Sequence, residues 1–296
     1  MTSARFPLPT LGLILLAAIG AVMLAVVGAS KWALPWDEQA YWNAARDLLA
    51  GRPIYDPTAW IQTPGAYWYP PVLAQLLGPH VLVLPDIALR AAWTAVLLAC
   101  LVFLARGRIL VALAMVVFVP VWIELWYRNV HLPLAVLAYL AIRRWPVLWV
   151  LGAAVKLTPV IGIAYLAAAG RWRQAVVVTL TGVAVMAVSI LVSPAAWAQF
   201  IEIVLIRAPA STGGIVEVPF LLRFAVALAL AIVGGRLGGR RGESLLVIGL
   251  VVGNPTLWLV AFSMLLALVP IWWDGRPSDG PAAADARAQP APLGTV

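Results

Sequence analysis

Two adjacent carboxylates, Asp37 and Glu38, head the segment Trp36-Asp37-Glu38-Gln39-Ala40-Tyr41-Trp42, and three cations, Arg128, Lys156 and Arg223, lie in or beside apolar runs. A carboxylate held at a membrane surface can act as a general base. Negative charge is equally favoured at a helix N-terminus, and spacing alone favours a plain N-cap for Asp37. Arginine grips phosphate bidentately and lysine acts as a point charge, so several such cations near one carboxylate would suit a lipid-linked phosphate. Each alone could instead snorkel to the interface or pair with Glu124 or Glu217. Ionisable groups at membrane depth are costly and usually functional.

Two further stretches, Gly51-Arg52-Pro53-Ile54-Tyr55-Asp56 and Tyr67-Trp68-Tyr69-Pro70-Pro71, mix aromatics with proline. That composition anchors proteins at the membrane interface, the stronger reading from residue types. It would also make a rigid platform for a sugar or lipid head group, with Tyr41, Arg52, Tyr55, Tyr67 and Tyr69 as candidate substrate contacts. Other chemistries find little support. His80 and His131 are the only histidines, with no cysteine or carboxylate at metal-ligand spacing. There is no phosphate-binding Gly-Lys loop, dinucleotide fingerprint or Gly-x-Ser-x-Gly, so neither a metal nor a cofactor is expected.

These residues sit in a chain of 296 residues, 64% hydrophobic and only 11% charged. A soluble domain carries about 25% charged residues, so much of this apolar surface must face lipid. The pattern predicts an all-α, polytopic transmembrane bundle of about ten spans, near 11–30, 87–105, 109–127, 131–142, 146–156, 158–170, 174–192, 218–235, 243–253 and 255–271. Residues 11–29 read as an uncleaved first span in preference to a signal peptide. Residues 72–84 read as an interfacial or re-entrant segment. Lys156-Leu157-Thr158-Pro159 interrupts one apolar stretch, and Pro159 predicts a hairpin of two short helices there. Gly253-Asn254-Pro255 repeats the design. Before these spans, Tyr41, Ala44, Ala45, Leu48 and Leu49 recur at helical spacing, and Gly51 can end that helix.

The formal charge of +8 comes from clusters between spans: Arg106/Arg108, Arg143/Arg144, Arg171/Arg173 and Arg236/Arg240/Arg241. Such clusters mark cytoplasmic loops, whereas a nucleic-acid binder would show one continuous basic face. The expectation is a multi-pass cell-membrane protein with both termini cytoplasmic. Residues 31–86 then form a large first outer loop and 193–217 a second. A membrane domain over 1–273 is followed by a disordered cytoplasmic tail over 274–296. Cys100, in an apolar run, reads as a packed core residue.

The run from Asp37 to Gly51, then Pro53-Ile54-Tyr55, Tyr69-Pro70-Pro71 and Lys156-Leu157-Thr158-Pro159, resembles glycosyltransferase family 87 over about residues 30–175. These are GT-C fold enzymes that include polyprenyl-phosphate-mannose-dependent mannosyltransferases. The resemblance implies a polyprenyl-phosphate-linked sugar donor and a lipid or glycan acceptor on the outer face, with inversion at the anomeric carbon. It implies Asp37 as the base, with Glu38 as fallback, and Lys156 on the donor phosphate, with Arg223 and Arg128 as further phosphate partners. The sequence departs from the family at two places. Tyr127-Arg128-Asn129-Val130 stands where Gly-Gln-x-Asn is usual. Asn254-Pro255-Thr256-Leu257-Trp258 stands for Ser-Pro-x-x-Trp, with no His after it. Two other readings remain open: a lipid or small-solute transporter or flippase, which broken helices with an intramembrane lysine would also serve, and a non-catalytic family member.

Overall fold

The computed structural model describes Ala18 and residues 36–59, 65–207, 218–255 and 257–274. The expected first span at 11–30 and the tail beyond Asp274 lie outside these residues, apart from Ala18. Among the described residues every regular element is helical, as the composition predicts.

Helix α1 (Trp36–Leu49) carries Asp37 and Glu38 in its first turn and Arg46 in its last, each complementing the helix dipole. Its chain direction is released at Gly51, where φ is +66°, a value that costs glycine nothing. Helix α2 (Pro71–Val83) opens with proline at its first position, where the missing N–H has no partner to lose. The stretch 72–84 is therefore a 13-residue helix, too short for an upright span, and it packs on α1.

Helix α3 (Asp86–Leu104) follows, then α4 (Ile109–Val117) and α5 (Val119–Tyr127). The stretch 109–127, expected as one span, is bent by 87° between α4 and α5. Pro120, in the first turn of α5, has no N–H for a bond back to residue 116, which favours the break. Helix α6 (His131–Arg143) returns, and α7 (Leu148–Val155) ends at Lys156, which is extended. A 3₁₀ turn at Thr158–Val160 leads into α8 (Ile161–Ala168). The break expected at Lys156–Pro159, with a short helix on either side, is thus present.

The remaining elements are α9 (Trp172–Val192), α10 (Pro194–Gln199), a π-helical segment Phe200–Arg207, α11 (Phe220–Leu237) and α12 (Gly239–Val252). A 3₁₀ segment Leu259–Ala267 and α13 (Leu268–Trp273) complete the chain described. The second break, at Gly253-Asn254-Pro255, is present, but its second arm is wound largely as 3₁₀ helix. Among the described residues three helices, α3, α9 and α11, are each long and apolar enough to cross a membrane, and the bent pair α4–α5 would make a fourth. Long, apolar and poorly buried, α9 exposes Leu180, Val183, Val188 and Leu191, which suits a lipid-facing surface. Among the described residues, the other expected spans are shorter helices within this bundle.

The contacts sort the bundle into two ends. At one, Arg106 pairs with Asp274 at 2.9 Å and Arg143 with Glu243 at 2.7 Å. Arg108 and Arg240 lie over Trp273 and Trp272. Three of the four basic clusters thus gather around α13. Asp274, expected to start the tail, is fixed to Arg106 and Tyr139. Close backbone packing holds this end: a Cβ on Gly242 would lie 2.1 Å from the Gly234 carbonyl oxygen, so α11 and α12 approach as only small residues allow. The other end gathers α1, the start of α2, the α5–α6 junction and both helix breaks.

Candidate functional site

Asp37 reaches across from α1 to the α5–α6 junction. Its Oδ2 accepts from Asn129 Nδ2 at 2.6 Å, and its Oδ1 accepts from the Tyr69 hydroxyl at 3.3 Å. Tyr41, one turn further along α1, donates its own hydroxyl to Tyr69 at 3.0 Å. Asn129 Oδ1 takes the Val130 N–H at 2.7 Å, so its amide is turned with Nδ2 toward Asp37. Each oxygen of Asp37 therefore bonds to another element. The expectation of a plain N-cap is corrected: the residue sits inside the first turn, and its carboxylate holds the loop segments together. Burial pushes its pKa up to about 6, partly opposed by the positive charge of Lys156.

Lys156 enters from the opposite side. Freed from the helix at the end of α7, its Nζ lies 2.8 Å from His131 Nε2, 3.3 Å from Asn254 Oδ1 and 5.5 Å from the centre of the Tyr69 ring. Behind it, His131 Nδ1 faces Glu124 Oε2 at 3.3 Å, while Glu124 also accepts from the Leu132 N–H at 3.0 Å and the Ser263 hydroxyl at 3.3 Å. The two helix breaks touch directly, with Thr158 donating to the Gly253 carbonyl at 3.1 Å. Asp37 and Lys156, 119 positions apart in numbering, thus meet around Tyr69.

Other candidates are placed differently. Glu38 and Arg128 form a buried ion pair at 2.9 Å, with side chains each only 1% exposed. Glu38 also accepts from Trp42 Nε1, and Arg128 donates to Thr94. Burial raises the pKa of Glu38, with Arg128 pulling it back. These two residues fasten α1 to α3 and α5. Arg223 donates to the carbonyls of Val218, Asn254 and Pro255, tying α11 to the second break. Arg52 pairs with Asp47 at 2.6 Å on the surface and is not brought to Asp37. Tyr55 donates to the Tyr69 carbonyl at 2.7 Å and Tyr67 to the Pro70 carbonyl at 2.9 Å. Their rings pack on each other and on Tyr69 and Phe200, so they build the wall behind Tyr69.

Asn129, Glu124, His131 and Asn254 carry the site together with Asp37 and Lys156, yet sequence reasoning gave none of them a site role. The available signals were a carboxylate within an apolar run at Glu124 and a polar pair, Asn129 and His131, opening α6. The groove lined by Val102, Phe103, Arg106, Arg108 and Trp273 lies at the basic end, away from this cluster.

A carboxylate and an ammonium gathered at one end of an apolar helical bundle define a membrane protein with a polar centre built from its helix breaks and its first loop. The chain belongs to glycosyltransferase family 87, whose model matches residues 67–288. That match takes in Tyr69, Asn129, Lys156 and Asn254, and begins after Asp37. Comparison with curated proteins and with solved structures finds no match. Family membership makes this a membrane glycosyltransferase, acting on a sugar donor and an acceptor.

Proposed function

We propose that the protein transfers a sugar, mannose or a related hexose or pentose, from a polyprenyl-phosphate donor to a lipid or glycan acceptor on the outer face of the cell membrane, within a GT-C-like fold whose termini are cytoplasmic. The acceptor oxygen attacks the anomeric carbon as its bond to the phosphate oxygen breaks, inverting the centre. The hydroxyl proton passes to Asp37, and the electron pair of the broken bond leaves on the lipid phosphate. Such a step needs a fixed base and a cation at the developing negative charge. The observation that carries the reading is the meeting of Asp37 and Lys156 around Tyr69. Two of the three N–H bonds of Lys156 have partners in His131 and Asn254, which leaves one for a phosphate oxygen. Asp37, with a pKa near 6, is mostly ionised and still a competent base at neutral pH.

Purified protein in detergent, given a panel of polyprenyl-phosphate sugars, tests this reading. Turnover of one donor that Asp37→Asn abolishes, with unfolding temperature preserved or raised, is expected. Turnover unchanged in that variant would remove Asp37 from the role. A second reading, lipid or solute transport, draws on the two helix breaks bonded through Thr158 and Gly253. Donor movement across proteoliposomes without sugar transfer would favour it.

A further inference from the structure

Glu124 and His131 lie behind Lys156, and the sugar-transfer step above uses neither. With Lys156 carried as an ammonium, their geometry fixes the histidine tautomer. An ammonium can only donate, so His131 Nε2, 2.8 Å from Lys156 Nζ, must present its lone pair. The ring proton is then on Nδ1, which faces Glu124 Oε2. An ionised Glu124 accepts there and from the Leu132 N–H, with the Ser263 hydroxyl shared between it at 3.3 Å and the Val260 carbonyl at 2.8 Å. Glu124 is 0% exposed and His131 1% exposed, so water does not compete for these bonds. A carboxylate that fixes a histidine tautomer, which in turn orients a functional cation, is the logic of outer-shell partners at metal sites.

We propose that Glu124 and His131 are positioning residues that hold Lys156 charged and aimed, with its third N–H directed at the phosphate of the polyprenyl-phosphate donor. The inference rests on the reading of Lys156 as the donor-phosphate cation. The relay has a direction: the carboxylate sets the tautomer, the tautomer supplies a lone pair, and the lone pair fixes the ammonium. Glu124→Gln reverses it. The new amide keeps its oxygen on the Leu132 N–H and turns its NH₂ toward His131, so the ring proton moves to Nε2 and confronts the ammonium. His131→Leu removes the link. His131→Gln preserves it, because its NH₂ can donate to Glu124 while its oxygen accepts from Lys156.

The test is binding of a sugar-free polyprenyl phosphate to purified full-length protein in detergent, with folding followed by thermal unfolding. Glu124→Gln and His131→Leu are expected to weaken binding at least about tenfold, in line with outer-shell losses elsewhere, and His131→Gln to remain within about threefold of the starting protein. If the starting protein binds and Glu124→Gln binds equally, the relay is wrong. If His131→Gln is folded yet as weak as His131→Leu, the assigned bond order is wrong. If the starting protein itself binds no polyprenyl phosphate, the phosphate role of Lys156 fails and the relay with it, a result distinct from the other two. Glu124→Gln carries the test should the leucine variant not fold, since it conserves shape.

Discussion

Asp37 and Lys156 share one side chain: the Tyr69 hydroxyl donates to Asp37 Oδ1 at 3.3 Å, and the Tyr69 ring lies 5.5 Å from Lys156 Nζ. The phenol serves the acid through its hydroxyl and the amine through its π face, which attracts a cation. Tyr69→Phe separates these roles. It deletes the bond to Asp37 and the one from Tyr41 but keeps the ring. Donor turnover is expected to fall about tenfold, the scale of a loosened reacting group, with KM for the donor little changed. Tyr69→Leu is expected to raise KM as well. Steady-state kinetics on the two variants check this, and equal effects on KM would show that the ring contact contributes nothing.

The pH dependence follows from Asp37. Burial raises its pKa from 3.8 to about 6, and a base must be ionised to accept a proton. Turnover is therefore expected to fall below pH 6 with unit slope. The linkage to stability has the opposite sense. The folded pKa lies above the unfolded one, so the stabilising contribution is present below pH 3.8 and is lost as pH rises through about 6. At neutral pH the ionised carboxylate is a burden of at most about 3 kcal/mol, reduced by its partial exposure. Asp37→Asn is expected to unfold at higher temperature than the parent at pH 7.5 while losing turnover. Differential scanning fluorimetry at pH 4 and 7.5 checks it, with the gain confined to the higher pH.

The parts of this architecture legible in the sequence are those with a local cause. The helix carrying Asp37 follows from the period of Tyr41, Ala45 and Leu48. The two breaks follow from Pro159 and Pro255, and α3, α9 and α11 from unbroken apolar length. The bend at 109–127 was hidden because the run is apolar on both sides of it, and only Pro120 marked it. The partners of Asp37 were hidden for a different reason. Asn129 stands 92 positions away, and no period relates the two. Arg128 announced a cation, but not that Glu38, 90 positions earlier, neutralises it.

The ion pair of Glu38 and Arg128 is expected to govern folding. Removing one partner of a buried pair strands the other charge, at about 3–5 kcal/mol, whereas replacing both by apolar groups can be neutral. Arg128→Met is thus expected to destabilise strongly, and Glu38→Leu/Arg128→Met to recover most of the loss. Arg90, 3.7 Å from Glu38, softens the single change and slightly penalises the double one. Polyprenyl-phosphate binding by the double variant separates the roles. Retained binding assigns Arg128 to fastening α1, and a loss at full stability would restore it to the phosphate.

The last prediction concerns how the site is held at its second break. A Cβ on Gly253 would lie 2.8 Å from the Ala227 Cβ and 3.0 Å from the Thr158 methyl, where neither neighbour has a flexible end to withdraw. The same glycine supplies the carbonyl that Thr158 bonds. Gly253→Ala is therefore expected to push the two breaks apart, moving Asn254 off Lys156 at the site end of the bundle. Overpacking of this kind costs about 1–3 kcal/mol, and donor KM is expected to rise. Gly242→Ala makes the control: its Cβ would strike the Gly234 carbonyl at the basic end, so it is expected to lower unfolding temperature without changing donor KM in the protein that remains folded. Kinetics normalised to folded protein distinguish the two. Equal KM in both variants would show that the tip-to-tip contact does not position Lys156.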